Sequence, residues 1–406
     1  METKVSIKGG ICSPRGFKAT GAACGIKKDG AKDMALIVSD RICSAAAVYT
    51  TNKVKGAPLT VTKRNLADGK ARAIICNSGN ANTCAPDGIK IAEETCRITA
   101  ETIGCRTEDV VVCSTGVIGQ QLAIEPFAEG IPRLTKNLSG DGSQDAAEAI
   151  MTTDIIPKSI AVEFQLDGKS CRIGGIAKGS GMIDPNMATM LSFITTDVAI
   201  VPELLQQALS EDVKTSYNQI CVDGDTSTND MVVVLANGMA GNRQIDEPCE
   251  ALEKFKEALS MVTTHLAKML ARDGEGATKL IECIVEGAPD DRLARKISKS
   301  VISSNLLKAA MFGEDANWGR VLCAIGYTEG DFSGENIDVA MGSAKGRITV
   351  CKGSRHEAYS EERASEILSE EEILITVDLH QGDGKAAAWG CDLTYDYVRI
   401  NGDYRS

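Results

Sequence analysis

Along this chain the spacing of apolar positions alternates between about two and about three to four residues, the pattern of strands interleaved with helices. Arg72 to Cys76 is a short apolar run that stops at the polar loop Asn77-Ser78-Gly79-Asn80-Ala81-Asn82. Asp109 to Cys113 is a second run, and it stops at Ser114-Thr115-Gly116. Both read as buried strands. Between them Ala92, Cys96, Thr99 and Ile103 recur at helical spacing, with Gly104 as the stop. Ile160, Val162, Phe164 and Leu166 alternate as one face of a strand, and Asp167-Gly168 is a hairpin signal. The return strand, through Cys171 and Ile173, delivers the chain to Lys178-Gly179-Ser180-Gly181. Pro202 suits the first turn of a helix. Phe255, Leu259, Val262, Leu266 and Met269 repeat at spacings of four and three, which predicts a long amphipathic helix ending near Arg272 to Gly276. Its methionines are expected in the core. Beyond about residue 285, Asp290-Asp291-Arg292 and the acidic stretch 360–372 predict a second, more exposed domain.

Composition narrows the function classes. A chain of 406 residues has room for two or three domains, and 43% apolar residues are enough for a substantial core. Aromatics make up 4% and the net charge is −12, so a base-stacking, phosphate-attracting surface is not expected and nucleic acid is excluded as a partner. No apolar run approaches the roughly twenty residues that cross a membrane. The start, Met1-Glu2-Thr3-Lys4, carries no apolar signal core. A soluble, cytoplasmic protein without membrane partners is the expectation. The fifteen cysteines include no C-x-x-C pair, and His265, His356 and His380 stand apart from any cysteine cluster. Cys12, Cys24, Cys76, Cys113 and Cys171 sit in apolar or Gly-rich surroundings, so reduced, buried thiols are expected, and no metal site.

The stretch Lys178 to Leu191, KGSGMIDPNMATML, is Gly-rich, then turn-forming at Asp184-Pro185-Asn186, then apolar. A tight loop entering a buried strand fits it, and the glycines flanking Ser180 allow a ligand to approach the backbone. Taken as residues alone, Lys178 and Glu275 read as solvated surface charges, and Thr115-Gly116 reads equally as a plain turn. Asp223-Gly224-Asp225 with Asp230 lacks the glycine and glutamate spacing of a calcium loop and is expected to be a structural loop at the edge of a site. Gly384-Lys385 lacks the flanking residues of a phosphate loop. Thr195 and Thr196 fall in a strand, where packing and hydrogen bonding explain them.

Six further blocks accompany Lys178 to Ile183 and Met187 to Leu191. They are Gly16-Phe17 with Ala22 to Lys28, Asn77 to Asn82, Ser114 to Gly119, Asp225 to Asp230, Ala316-Asn317-Trp318-Gly319-Arg320, and Arg399 to Ser406. In this order, over nearly the whole chain, they resemble the self-cleaving ornithine acetyltransferases of the arginine pathway. The chain departs from that pattern slightly at its end, with Gly402 where alanine is common and Ser406 where threonine is common.

The resemblance implies an α/β fold, with β-sheets layered between helices and a smaller α+β C-terminal domain. It implies self-cleavage between Ala188 and Thr189, giving fragments 1–188 and 189–406. Residues 189–284 then complete the catalytic domain, and 285–406 form the C-terminal domain. Thr189 is the implied nucleophile, its new α-amine the base, and Thr115 and Gly116 the oxyanion hole. Substrate binding carries over to Thr152, Lys178, Thr189, Glu275, Asn401 and Ser406, with Thr153 an alternative to its neighbour Thr152. Lys178 suits a substrate carboxylate and Glu275 an ornithine ammonium group. The implied reaction moves acetyl from N-acetylornithine to glutamate, releasing ornithine and N-acetylglutamate, with no cofactor and with two copies of each fragment. Acetyl-CoA as a further donor is left open by the sequence. Two other readings stay open as well. One is a self-processing aminopeptidase or amidase that gives the acyl group to water. The other is an inactive metabolite-binding scaffold.

Overall fold

The computed structural model describes residues 5–184 and 190–403. Among them, nine strands form one sheet: β1 (Val5–Ile7), β2 (Phe17–Ala22), β3 (Met34–Tyr49), β4 (Lys70–Asn77), β5 (Val110–Ser114), β6 (Lys158–Leu166), β7 (Lys169–Lys178), β8 (Leu191–Thr196) and β10 (Met231–Ala236). A second, seven-stranded sheet contains β9 (Ile220–Cys221), β11 (Leu280–Ala288), β12 (Asp338–Ser343), β13 (Gly346–Lys352), β14 (Arg355–His356), β15 (Glu372–Asp378) and β16 (Gly384–Cys391). The first sheet runs β1-β6-β7-β8-β10-β3-β4-β5, with β2 added on β3.

Local chemistry sets much of this order. Asp167 and Gly168 both take positive φ, 51° and 71°, as a two-residue hairpin requires, and they lock β6 to β7 in register. The β4 and β5 runs pair in parallel, which needs a crossover. The amphipathic helix α2 (Gly88–Ile103) lies on that crossover and ends at the left-handed Gly104. β8 is the hinge of the sheet. It pairs antiparallel to β7, Lys178 opposite Leu191, and parallel to β10, Leu191 opposite Met231.

Helices cover the sheet in layers. Ala35, Ile37, Ile74, Phe193 and Val233 belong to one core that draws on both halves of the first sheet, together with alanines of α4 (Ser143–Ala149). Alternation sends the neighbouring residues the other way. Leu36 and Ile75 pack with Phe127 and Ile131 of α3 (Glu125–Lys136), on the same side as α2. Val162, Ile194 and Val234 pack with α5 (Pro202–Asp212) and α6 (Glu250–Arg272). Phe255, Leu259, Val262 and Leu266 of α6 are fully buried, each contributing about 1.5–3 kcal/mol of apolar burial. The second sheet has its own core against α7 (Asp291–Ser303), α8 (Asn305–Phe312), α9 (Trp318–Gly326) and α10 (Glu361–Leu368). This is the layered α/β architecture that the resemblance implies.

Three details depart from the sequence reading. The second sheet starts before residue 285, because β11 begins at Leu280 and β9 is contributed from residues 220–221. Met261 of α6 is 38% exposed and Met269 half-buried, since the buried stripe passes through the residues that follow them, Val262 and Leu270. The cysteines are unpaired, yet Cys12, Cys24 and Cys105 are half-buried and Cys84, Cys249 and Cys323 exposed. Among the described residues no helix is long and apolar enough to cross a membrane.

Candidate active site

The carboxyl-terminal ends of β4, β5 and β7 open on one cavity of about 460 Å³. It is lined by Thr115, Gly116, Thr152, Thr153, Lys178, Met190, Asp230, Glu275 and Asn401, among others. Residues separated by hundreds of positions in the sequence thus share a single wall.

The Thr115-Gly116 corner is built by asparagines. Ser114 Oγ donates to Asn77 Oδ1 (2.6 Å), and Asn77 Nδ2 donates to the Asn80 carbonyl (2.9 Å). Asn229 Nδ2 donates to the carbonyls of Ala81 (2.6 Å) and Ser114 (3.0 Å), while its Oδ1 accepts from Thr83 (2.5 Å) and Thr228 (2.6 Å). Every polar atom of that buried amide is used, so the loops 77–83, 114–117 and 226–230 are locked together. Gly116 has φ +127°, and a Cβ there would lie 2.4 Å from the Gly79 carbonyl carbon. Only glycine fits this close backbone approach. The Thr115 amide donates to the Asn77 carbonyl (3.0 Å), and its hydroxyl lies 3.4 Å from Lys178 Nζ. Of the two donors that Thr115 offers, the hydroxyl is therefore the one turned toward the lysine.

Lys178 is 7% exposed, so it is a cation inside the cavity and not a solvated one. Glu275 is 8% exposed, and its Oε2 accepts from Asn401 Nδ2 (2.7 Å). Asn401 lies on α11 (Tyr395–Asp403). Gly181 makes this seat possible, since a Cβ there would meet the Glu275 carboxyl carbon at 2.5 Å. Both Thr152 and Thr153 line the cavity, which leaves either able to touch a ligand. Thr189, Ala188 and Ser406 lie outside the described residues. Met190, the residue that follows Thr189, is buried in the cavity wall, and its carbonyl accepts from Met231 N (3.0 Å).

Several groups at the site were given no role in it by the sequence. Asp230 is 3% exposed, with an Oδ2 that has no hydrogen-bond partner among the described residues. Burial pushes its carboxyl well above the usual range, against the pull of Ser227 and Lys178. Asp154 accepts from Gly179 N (2.6 Å) through Oδ1 and from Thr152 N (3.0 Å) through Oδ2. Asp223 accepts from Met182 N (2.6 Å) and Ile183 N (2.8 Å), which makes the 223–230 segment a structural loop at the site edge. No group of three or more His, Cys, Asp or Glu side chains poised for a metal occurs among the described residues. Thr195 and Thr196 donate to the carbonyls of Ile11 (2.5 Å) and Arg172 (2.8 Å), a packing role away from the cavity. One signal was readable in advance. The alternation that turns Ile160 and Val162 inward also turns Lys158 inward.

The chain is similar to known proteins along nearly its whole length. Residues 18–406 match the model of the ArgJ family. The arginine biosynthesis bifunctional protein ArgJ of Symbiobacterium thermophilum is 50% identical over 403 residues, spanning 98% of this chain and 99% of that protein. The ArgJ of Caldanaerobacter subterraneus is 48% identical over 401 residues, with 98% and 99% covered. The crystal structure of the arginine biosynthesis bifunctional protein ArgJ from Bacillus halodurans, 50% identical, aligns with a TM-score of 0.51 over 53% of this chain and 100% of that one.

Proposed function

Because the chain belongs to the ArgJ family, acyltransferases of arginine biosynthesis, we propose that it moves acetyl from N-acetylornithine to glutamate through an acetyl ester on Thr189. The observation that carries this reading is the convergence of Thr115, Gly116, Lys178, Glu275, Asn401 and Met190 on one cavity.

Maturation comes first. The Thr189 hydroxyl attacks the Ala188 carbonyl carbon, the C–N bond breaks, and the acyl group passes from nitrogen to oxygen. Water then hydrolyses the ester, leaving a carboxylate on Ala188 and a free α-amine on Thr189. An α-amine titrates near about 8 and serves as the base for its own hydroxyl. The fragments 1–188 and 189–406 stay together because β8, from the second, is paired to β7 of the first and to β10. Two copies of each fragment make up the assembly.

In turnover, Lys178 holds the α-carboxylate of N-acetylornithine and Glu275, steadied by Asn401, holds its ammonium end. Thr189 Oγ adds to the acetyl carbonyl. The oxyanion takes hydrogen bonds from the Thr115 hydroxyl and the Gly116 amide, and the α-amine passes the proton to departing ornithine. Glutamate then enters with its α-carboxylate on Lys178, its amine attacks the ester, and N-acetylglutamate leaves. Thr152 or Thr153 and Ser406 complete the substrate contacts. The residues call for no cofactor in this cycle. Use of acetyl-CoA as a second donor is compatible with the same acetyl-threonine.

The test is intact mass under denaturing conditions with N-terminal sequencing, followed by ornithine release from N-acetylornithine and glutamate. Two fragments, the second starting Thr189-Met190-Leu191, and glutamate-dependent ornithine release are expected. Thr189→Ala should remain one chain and be inactive. Normal cleavage and turnover by that variant would overturn the nucleophile assignment.

A further inference from the structure

Lys158 is fully buried, an unusual place for an ammonium group. Its Nζ donates to Asp154 Oδ1 (2.7 Å) and to Asp273 Oδ2 (2.5 Å). Both acids are themselves tied to the substrate side of the cavity. Asp154 holds the amides of Gly179, next to Lys178, and of Thr152. Asp273 Oδ2 accepts from Ile155 N (3.1 Å), and its carbonyl accepts from Ser180 Oγ (2.6 Å). Ser180 in turn accepts at its carbonyl from Glu275 N (3.2 Å). One ammonium therefore joins the segments that carry Thr152, Lys178 and Glu275.

The charge count adds a second role. Two buried carboxylates face a single internal cation, so the trio carries one excess negative charge. Outside the trio, Lys178 contributes most to balancing it at Asp154, and the half-buried Lys27 ammonium also acts on that carboxylate. Burial alone would push the Asp154 carboxyl up, but the ammonium groups of Lys178 and then Lys158 overcome this and hold it at about 2. Lys178 is shared between this internal charge and any ligand carboxylate in the cavity.

We propose that Lys158 is a positioning residue that, by neutralising the two acids it joins across the cut between the fragments, keeps Lys178 available to the substrate carboxylate. Lys158 and Asp154 belong to residues 1–188, and Asp273 and Glu275 to residues 189–406. Without Lys158, both carboxylates compete with substrate for Lys178. Substrate binding weakens, whereas the oxyanion corner at Thr115-Gly116, held by Asn77 and Asn229, is untouched. The inference rests on the reading of Lys178 as the carboxylate-binding group.

The experiment compares Lys158→Met, Asp273→Asn and the double variant with the wild-type enzyme in steady-state turnover of N-acetylornithine and glutamate. The same four proteins are titrated calorimetrically with L-glutamate. For Lys158→Met, KM and the calorimetric Kd should rise by about tenfold or more, with kcat within about threefold. The double variant restores the charge balance and should bring both back to within about threefold of wild type. A role in packing alone predicts the opposite for the double variant, a further loss. An unchanged KM in Lys158→Met, or a rise that the double variant does not reverse, overturns the proposal. Should Lys158→Met fail to fold, Asp273→Asn decides. It removes one competing carboxylate, so an equal or lower KM supports the proposal and a tenfold rise overturns it. A wild-type enzyme without acetyl transfer refutes the proposed reaction instead, and the glutamate titrations then judge the positioning role alone.

Discussion

Replacing Gly116 by alanine tests the oxyanion corner through a single added carbon. At φ +127° the new Cβ falls 2.4 Å from the Gly79 carbonyl carbon and 2.6 Å from Asn80 N. Carbon–carbon contact is comfortable only from about 3.5 Å, so the two backbones must part by about 1 Å. Neither is free to move cheaply, because Gly79 and Asn80 belong to the loop that Asn77 and Asn229 lock. Displacement of the reacting groups by about 1 Å costs on the order of 10²-fold in rate, and loss of one oxyanion donor about 10²–10³. The backbone strain of a non-glycine residue at this φ adds about 1–3 kcal/mol of destabilisation. The expected result is kcat lower by at least about 100-fold, KM within a few-fold, and a thermal midpoint lower by a few degrees. Self-cleavage passes through an oxyanion too, so intact mass should show uncut precursor. Turnover is followed by ornithine release from the cleaved fraction, and folding by circular dichroism. A folded, fully cleaved Gly116→Ala enzyme with wild-type kcat would refute the reasoning.

Two further perturbations test the scaffold around that corner. Asn229→Ala removes the amide that donates to the carbonyls of Ala81 and Ser114 and accepts from the hydroxyls of Thr83 and Thr228, so stability should drop by about 1–3 kcal/mol, read by urea unfolding; a loss under about 0.5 kcal/mol would show that these loops are not held by the amide. Asp212 is pushed up to about 6 by burial, against hydrogen bonds from Thr263 and Ser216. The folded carboxyl thus binds its proton more tightly than the unfolded one, which titrates near about 3.9, so this group's contribution is fully present below about pH 4 and is lost as pH rises through about 6. Asp212→Asn should flatten that part of the stability–pH curve, and an unchanged slope between pH 4 and 7 would exclude Asp212 as its source.

Within the single chain, periodicity determined the elements that surround the site. The alternation at Ile160, Val162, Phe164 and Leu166, the Asp167-Gly168 turn, the helix stop at Gly104 and the stripe along α6 all follow from local stereochemistry and from which face must leave water. The motif blocks marked Thr115, Gly116, Lys178 and Asn401, the family resemblance added Glu275, and the fold gathers all five into one cavity. Tertiary structure decided the rest. That Lys178 and Glu275 are buried and not solvated depends on which strands and helices close over them, and no local pattern encodes that. Asn229 and Asp154 resemble ordinary loop residues until their amide and carboxylate are seen joining segments from distant parts of the chain. The boundary of the second sheet moved for the same reason. β9 and β16 pair through hydrogen bonds between segments about 170 residues apart, a long-range choice that packing makes and composition does not record.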